Sequence, residues 1–149
     1  MESQFSIDPR TGNIAVGQTH LRRLQSKTEI VPQIAPFIER SRDHGNGYEW
    51  LYLKDLTFGG RPASLGLCFH EGRLRSASWS VRLQNVTGDS GWPSPREINE
   101  EIVFVRSILA DTGLKVGKKP ATFAWGEVWS SFDAKASVAS HGLRYRGNS

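Results

Sequence analysis

Between residues 48 and 83 apolar positions alternate with polar ones or form short strand-length runs, the patterning of β-strands. Residues 48–58, 63–69 and 74–83 read as the three arms of a meander, with Gly59-Gly60 and Gly72 at its corners. Leu65, Leu67 and Phe69 share one face of the second arm. In the third arm Ala77, Trp79 and Val81 stand opposite Ser76, Ser78 and Ser80. One side of that strand therefore suits a core, and the other suits water or a partner that needs hydrogen bonds. Further on the period changes to that of a helix. Ile98, Ile102, Val105 and Leu109 recur at spacings of four, three and four, a single apolar stripe. Ser94 can cap the Glu97 amide while Glu97 reaches back, Pro95 fits the first helical position, and Gly113 supplies the stop.

The flanking segments carry weaker patterns. Residues 5–7 and 13–16 read as short strands around a turn containing Pro9 and Gly12. Thr19 is the expected N-cap of a short helix bearing Leu21 and Leu24. Residues 28–43 fit no single element, because Pro32 and Pro36 oppose a continuous helix, although Pro36 could open a turn or two through residues 37–40. Residues 44–47 and 84–92 read as loops. Near the C-terminus residues 123–132 and 136–145 form a hairpin around Asp133-Ala-Lys135. Its first arm would place Phe123, Trp125, Glu127 and Trp129 on one side, with Ala124, Gly126, Val128 and Ser130 on the other. No strand–helix–strand alternation occurs. The order predicts an α+β fold: an antiparallel sheet of a central meander plus a C-terminal hairpin, with one long and one or two short helices on one face, in one globular domain spanning 1–149.

Composition narrows the setting. A chain of 149 residues, 38% hydrophobic and 23% charged, has the material for a real core and is not of the disordered type. No apolar run approaches membrane-spanning length, so no membrane partner is expected. The start Met1-Glu-Ser-Gln-Phe5 lacks the basic and apolar regions of a secretory signal. The one cysteine, Cys68, allows no internal disulfide and fits a reducing compartment, so a cytoplasmic location is expected. The formal net charge is +4, and 13 of the 19 basic residues are arginine. They are dispersed, not gathered into a stripe, which disfavours nucleic acid as a partner but leaves it open.

Candidate chemistry is sparse. None of His20, His44, His70 and His141 stands near another histidine or the cysteine at ligand spacing, so no metal site is expected. Gly-x-Ser-x-Gly elbows and glycine-rich phosphate loops are missing, and neither a cofactor nor a catalytic residue is assigned. Glu127, between Trp125 and Trp129, could act as an acid if enclosed, with His141 as base, in a small hydrolase or isomerase. The plainer alternative pairs Glu127 with Arg144 or Arg146 of the neighbouring arm. Trp50, Tyr52, Trp79, Trp92, Trp125, Trp129 and Tyr145, together with the arginines, are the residue types that dominate interface hot spots. The same mixture suits a nucleic-acid or anionic-ligand binder, though the glycine–aromatic motif of an RNA-recognition sheet is missing.

Several short stretches also carry a family likeness. Ile14-Ala-Val-Gly-Gln-Thr19 with Leu21 and Leu24, Leu65-Gly-Leu-Cys-Phe69 with Glu71-Gly-Arg-Leu74, Phe123-Ala-Trp-Gly-Glu-Val128, Asp133-Ala-Lys135 and Tyr145 together span most of the chain. This pattern resembles small uncharacterised bacterial proteins, some of which look like cytoplasmic immunity proteins of interbacterial toxin systems such as type VI secretion. The resemblance implies a non-enzymatic protein that binds and occludes a cognate toxin, and it transfers no catalytic residue. Many such proteins are acidic and mask basic nucleases, whereas this chain is basic, so the expected toxin has an acidic or neutral surface. The expected contact residues are Arg73, Arg75, Ser78 and Arg82 on and around the third arm, with Glu127, Trp129 and Arg144 on the hairpin.

Overall fold

The structure, a computed structural model, describes residues 3–83 and 94–147; the loop expected over 84–92 lies outside the described residues. The elements in order are β1 (Ser3–Ile7), β2 (Ile14–Val16), β3 (Thr19–Leu21), α1 (Lys27–Ile34), a 3-10 turn (Ala35–Phe37), β4 (Ile38–Asp43), β5 (Tyr48–Phe58), β6 (Arg61–His70), β7 (Arg73–Val81), α2 (Pro95–Asp111), β8 (Ala121–Phe123), β9 (Gly126–Asp133) and β10 (Val138–Tyr145). The ten strands form one sheet in the order β3-β2-β1-β5-β6-β7-β10-β9-β8, with β4 also paired to β5. The predicted meander β5–β6–β7 is its spine, and the C-terminal hairpin joins it through the antiparallel pairing of β10 with β7.

The sheet is mixed, not wholly antiparallel, because β1 runs parallel to β5 through Ser3–Leu56 and Gln4–Thr57. Two strands share that edge of β5. The β4 strand pairs with its first half, Glu49 to Leu53, and β1 with Leu56 and Thr57. Between them the ladder to β6 slips between Leu53 and Leu56, and Asp55 takes a left-handed φ of 60°. Such a bulge bends the strand and lets a different neighbour dock on each half.

Both helices bury their apolar stripes in one cluster on one face of the sheet. Ile30 and Ile34 of α1 and Val105 and Leu109 of α2 join Leu51, Leu53, Leu65, Leu67 and Phe69 there. Phe5, Phe58 and Trp79 meet ring to ring at 5.0–5.9 Å in the same cluster. The capping box forms as the sequence predicts: the Glu97 amide donates to Ser94 Oγ, and the Ser94 amide donates to the Glu97 carboxylate.

Three local expectations are corrected. Thr19 caps no helix; Thr19–Leu21 is β3, paired with β2, and Leu21 is fully buried in the sheet core. Leu24 instead turns the chain at φ 59°, and Ser26 caps α1 by accepting from the Glu29 amide. Pro32 lies inside α1 on an exposed side, where it removes one backbone donor while Ile30 and Ile34 anchor the helix. The β4 strand went unread because five of its six residues are exposed, so no apolar alternation marks it.

The third correction concerns residues 123–132, which are not one strand. The chain reverses between β8 and β9 at Ala124-Trp125, with Phe123 paired to Gly126. Gly126 adopts φ 154°, and a Cβ there would overlap the Arg144 carbonyl oxygen. Trp125 is therefore a corner residue: it stacks on Phe123 at 5.2 Å and its indole N–H donates to the Pro9 carbonyl at 2.9 Å. The Tyr145 hydroxyl donates to the Gly12 carbonyl at 2.6 Å, so two rings clamp the β1–β2 turn to the C-terminal hairpin. Burial pushes the Tyr145 phenol well above its usual 10.0, which means the fold requires the neutral form. The unfolded chain ionises first, so stability is full below pH 10 and falls as pH rises past it, by up to about 1.4 kcal/mol per pH unit. Urea titrations across pH 9–12 should show this loss, and Tyr145→Phe should flatten it while lowering the baseline by about 1 kcal/mol.

Candidate functional site

The face of the sheet opposite the helices carries the side chains with binding chemistry. Register places Tyr52, Gly66, Ser78, Gly142 and Trp129 in one row across β5, β6, β7, β10 and β9, with Arg40 of β4 beside Tyr52. The next row runs Arg42, Trp50, Cys68, Ser76, Arg144 and Glu127. Trp50, Tyr52, Ser76, Ser78, Glu127 and Trp129 are half-buried there.

Two glycines shape this surface. An ideal Cβ on Gly66 would lie 3.3 Å from two atoms of the Trp50 ring, and one on Gly142 would overlap the Trp129 ring and the Ala77 carbonyl. The Trp129 indole thus occupies the space that a side chain on Gly142 would take, and Trp50 packs tightly over Gly66. Trp129 is fixed further by its N–H, which donates to Ser140 Oγ at 3.0 Å. Trp50 lies nearly parallel to Tyr52, with centroids 6.0 Å apart and planes at 10°. A guanidinium attends two of these aromatics: Arg40 stands 4.2 Å from the Tyr52 centroid and Arg144 stands 5.9 Å from that of Trp129. Such contacts contribute roughly 0.5–1 kcal/mol at exposed sites and restrict where the guanidinium groups lie.

Beside Tyr52 the face sinks into an open depression of about 430 Å³. Its floor is Ser64, Gly66, Ser78 and Ser80, and Ser64 Oγ and Ser80 Oγ are 2.7 Å apart. Bulges in β4, between Ile38 and Arg40, and in β5, between Leu53 and Leu56, bring Glu39, Arg40, Lys54 and Asp55 to its rim.

Of the contact residues expected from sequence, Ser78, Glu127, Trp129 and Arg144 come together on this face. Arg73 sits at the β6–β7 turn opposite His70, and Arg82 lies just past the other end of β7, where its amide donates to the Pro62 carbonyl. Arg75 occupies the slip in register between the Cys68–Ser76 and Phe69–Leu74 pairs. Those three arginines flank the aromatic rows without joining them. Sequence reasoning missed Arg40, Gly66 and Gly142. The available signal was glycine in the interior of a strand, which marks close approach of another group.

The acid–base pair of Glu127 and His141 does not form, because the two residues point to opposite faces of the β9–β10 hairpin. Glu127 instead lies 3.9 Å from Arg144, the plainer alternative. His141 belongs to a buried chain on the core side. Its Nδ1 is 2.8 Å from Ser130 Oγ and its Nε2 is 2.8 Å from Glu101 Oε2. A carboxylate only accepts, so Nε2 carries a hydrogen and donates it, which in the neutral ring leaves Nδ1 to accept from the serine. The Val81 amide donates to the same Glu101 oxygen, and Arg106 Nε–H donates to the Ser130 carbonyl. This order resembles a nucleophile–base–acid chain, but Ser130 and His141 are 0% and 1% exposed, so no substrate reaches them. The chain ties α2 to β7, β9 and β10.

Among the described residues no group of three or more His, Cys, Asp or Glu is placed to hold a metal ion. Cys68 is buried, and burial pushes its thiol up, only partly offset by a hydrogen bond with Ser76. No described helix is long and apolar enough to cross a membrane.

Fold and surface together define a mostly-sheet α+β chain with an aromatic and cationic face that neither helix covers. No protein-family description matches the sequence, and none of the curated proteins matches it. A solved structure does match in shape: a chain from Rhs1-CT in complex with cognate immunity protein RhsI1, with a TM-score of 0.53 and 9% identity over 95% of this chain and 87% of that one. At that identity the likeness is one of fold.

If Gly142 is there to admit Trp129, then Gly142→Ala should destabilise by about 1–3 kcal/mol. Adding Trp129→Ala should recover part of that loss, leaving the double variant more stable than the sum of the single changes. Additive losses in urea denaturation would show that the ring does not require the glycine.

Proposed function

We propose that this chain is an immunity protein that binds a cognate toxin through its open sheet face and occludes it without chemistry of its own. The observation that carries the reading is the pair of adjacent rows holding Arg40, Tyr52, Trp129 and Arg144, rings and guanidiniums held in place on a surface that neither helix covers. Aromatics and arginines so fixed lose little entropy on binding, which is why they dominate hot spots. The fold shared with a chain of a cognate immunity complex supports the same reading, as does the burial of the triad-like Ser130–His141–Glu101 hydrogen-bond chain. Ser78, Glu127, Trp129 and Arg144 would form the centre of the contact, with Arg73, Arg75 and Arg82 on its flanks. A net charge of +4 favours a toxin with an acidic or neutral surface. The protein would act as one domain in the bacterial cytoplasm, against a toxin delivered by a system such as type VI secretion.

A second reading, nucleic-acid or anionic-ligand binding, draws on the same arginine–aromatic contacts. Glu39, Asp55 and Glu127 on this face oppose a polyanion, and so the protein partner is preferred.

Co-expression with the toxin encoded by the adjacent gene tests the proposal. The wild-type chain should protect growth and bind the toxin in calorimetry. Trp129→Ala and Arg144→Glu should each weaken binding by about tenfold or more, with Lys115→Ser, exposed and off this face, unchanged. Absence of both binding and protection by the wild type would refute it.

A further inference from the structure

The depression beside Tyr52 has a more specific chemistry than the face around it. Resting on the immunity reading, we propose that it receives a loop of the toxin carrying an aspartate or glutamate close to a lysine or arginine. Four ionisable side chains line its rim, two of each sign: Arg40 and Lys54, Glu39 and Asp55. Among the described residues none of the four forms an ion pair with another, and Arg40 is committed only to the face of Tyr52. Two adjacent bulges put them there, which is an arrangement that a simple strand ladder would not produce.

The floor adds a directional element. Ser64 and Ser80 share one hydrogen bond at 2.7 Å, which uses one hydroxyl hydrogen and leaves the other to donate. A carboxylate entering the depression would find that donor below it, with Arg40 and Lys54 at its sides. Glu39 and Asp55 remain to accept from an ammonium or guanidinium on the same loop. A strand of phosphates offers nothing to those two acids and is repelled by them. A polypeptide segment of mixed sign satisfies all four groups, and this complementarity selects the occupant.

The test is a titration of the full-length, 15N-labelled protein with the peptide acetyl-Gly-Asp-Gly-Lys-Gly-amide, followed by NMR. Its counterpart with Asn and Gln in place of Asp and Lys, and an eight-residue oligothymidylate, serve as comparison probes. The mixed-charge peptide should shift the amides of Arg40, Asp55, Ser64, Gly66 and Ser80, saturating in the millimolar range, and the neutral peptide should not. Arg40→Ser combined with Lys54→Ser should weaken the peptide by about threefold or more, with the rest of the spectrum unchanged because both residues are exposed. No shifts, shifts elsewhere, equal binding of the neutral peptide, or tighter binding of the oligothymidylate at these amides would each overturn the proposal. A chain that protects against the toxin but fails this titration keeps the immunity reading and loses this inference. One that passes the titration but neither binds nor protects against the toxin retains the peptide site and loses the reading.

Discussion

Gly142 has no side chain, and the Trp129 ring fills the space that one would need. Much of the open face follows from that contact and its counterpart between Gly66 and Trp50. Strands β6 and β10 give up packing area at those positions, a local cost that sheets seldom accept without a purpose. In return, two large rings are held close to the backbone with only part of their surface in water. Ser78 lies between the two glycines in register, so polar backbone and hydroxyl groups separate the rings. A surface of that kind is stiff before any partner arrives, which lowers the ordering cost of association.

The other face supplies the stiffness. Leucines and phenylalanines from β5, β6 and β7 pack with α1 and α2 in one cluster, and the Ser130–His141–Glu101 chain pins α2 to three strands through directional bonds. Trp125 and Tyr145 then hold the N-terminal turn against the C-terminal hairpin through bonds that span more than a hundred residues. Residues that would look reactive elsewhere are used here as structural ties. On the opposite face exposed arginines and half-buried rings meet solvent.

Strong local period makes the β5–β6–β7 meander, α2 with its capping box and the turn at Asp133 legible in the sequence, and the short strands expected at 5–7 and 13–16 also form, as β1 and β2. The errors arose where tertiary contacts decide. β4 has no apolar face of its own and forms because the first half of β5 offers an unpaired edge. The parallel pairing of β1 depends on a bulge fifty residues away. Alternation alone makes Gly126 one position in a continuous strand, whereas its φ of 154° and its closeness to the Arg144 carbonyl make it the corner that sends Trp125 into the core. Four of the seven expected contact residues share one face of the sheet, because alternation in β7, β9 and β10 sets it. Arg40 stayed invisible because its strand did.

If the proposed toxin docks on the side of the sheet that neither helix covers, footprinting of the complex will show it. Side-chain oxidation of the protein, alone and bound to its toxin, reports which rings become shielded. Trp50, Tyr52 and Trp129 should lose reactivity on binding while Phe132 and Val103, exposed on the helix side, keep theirs. Shielding of Phe132 and Val103 with Trp129 still reactive would place the partner on the other side and contradict it.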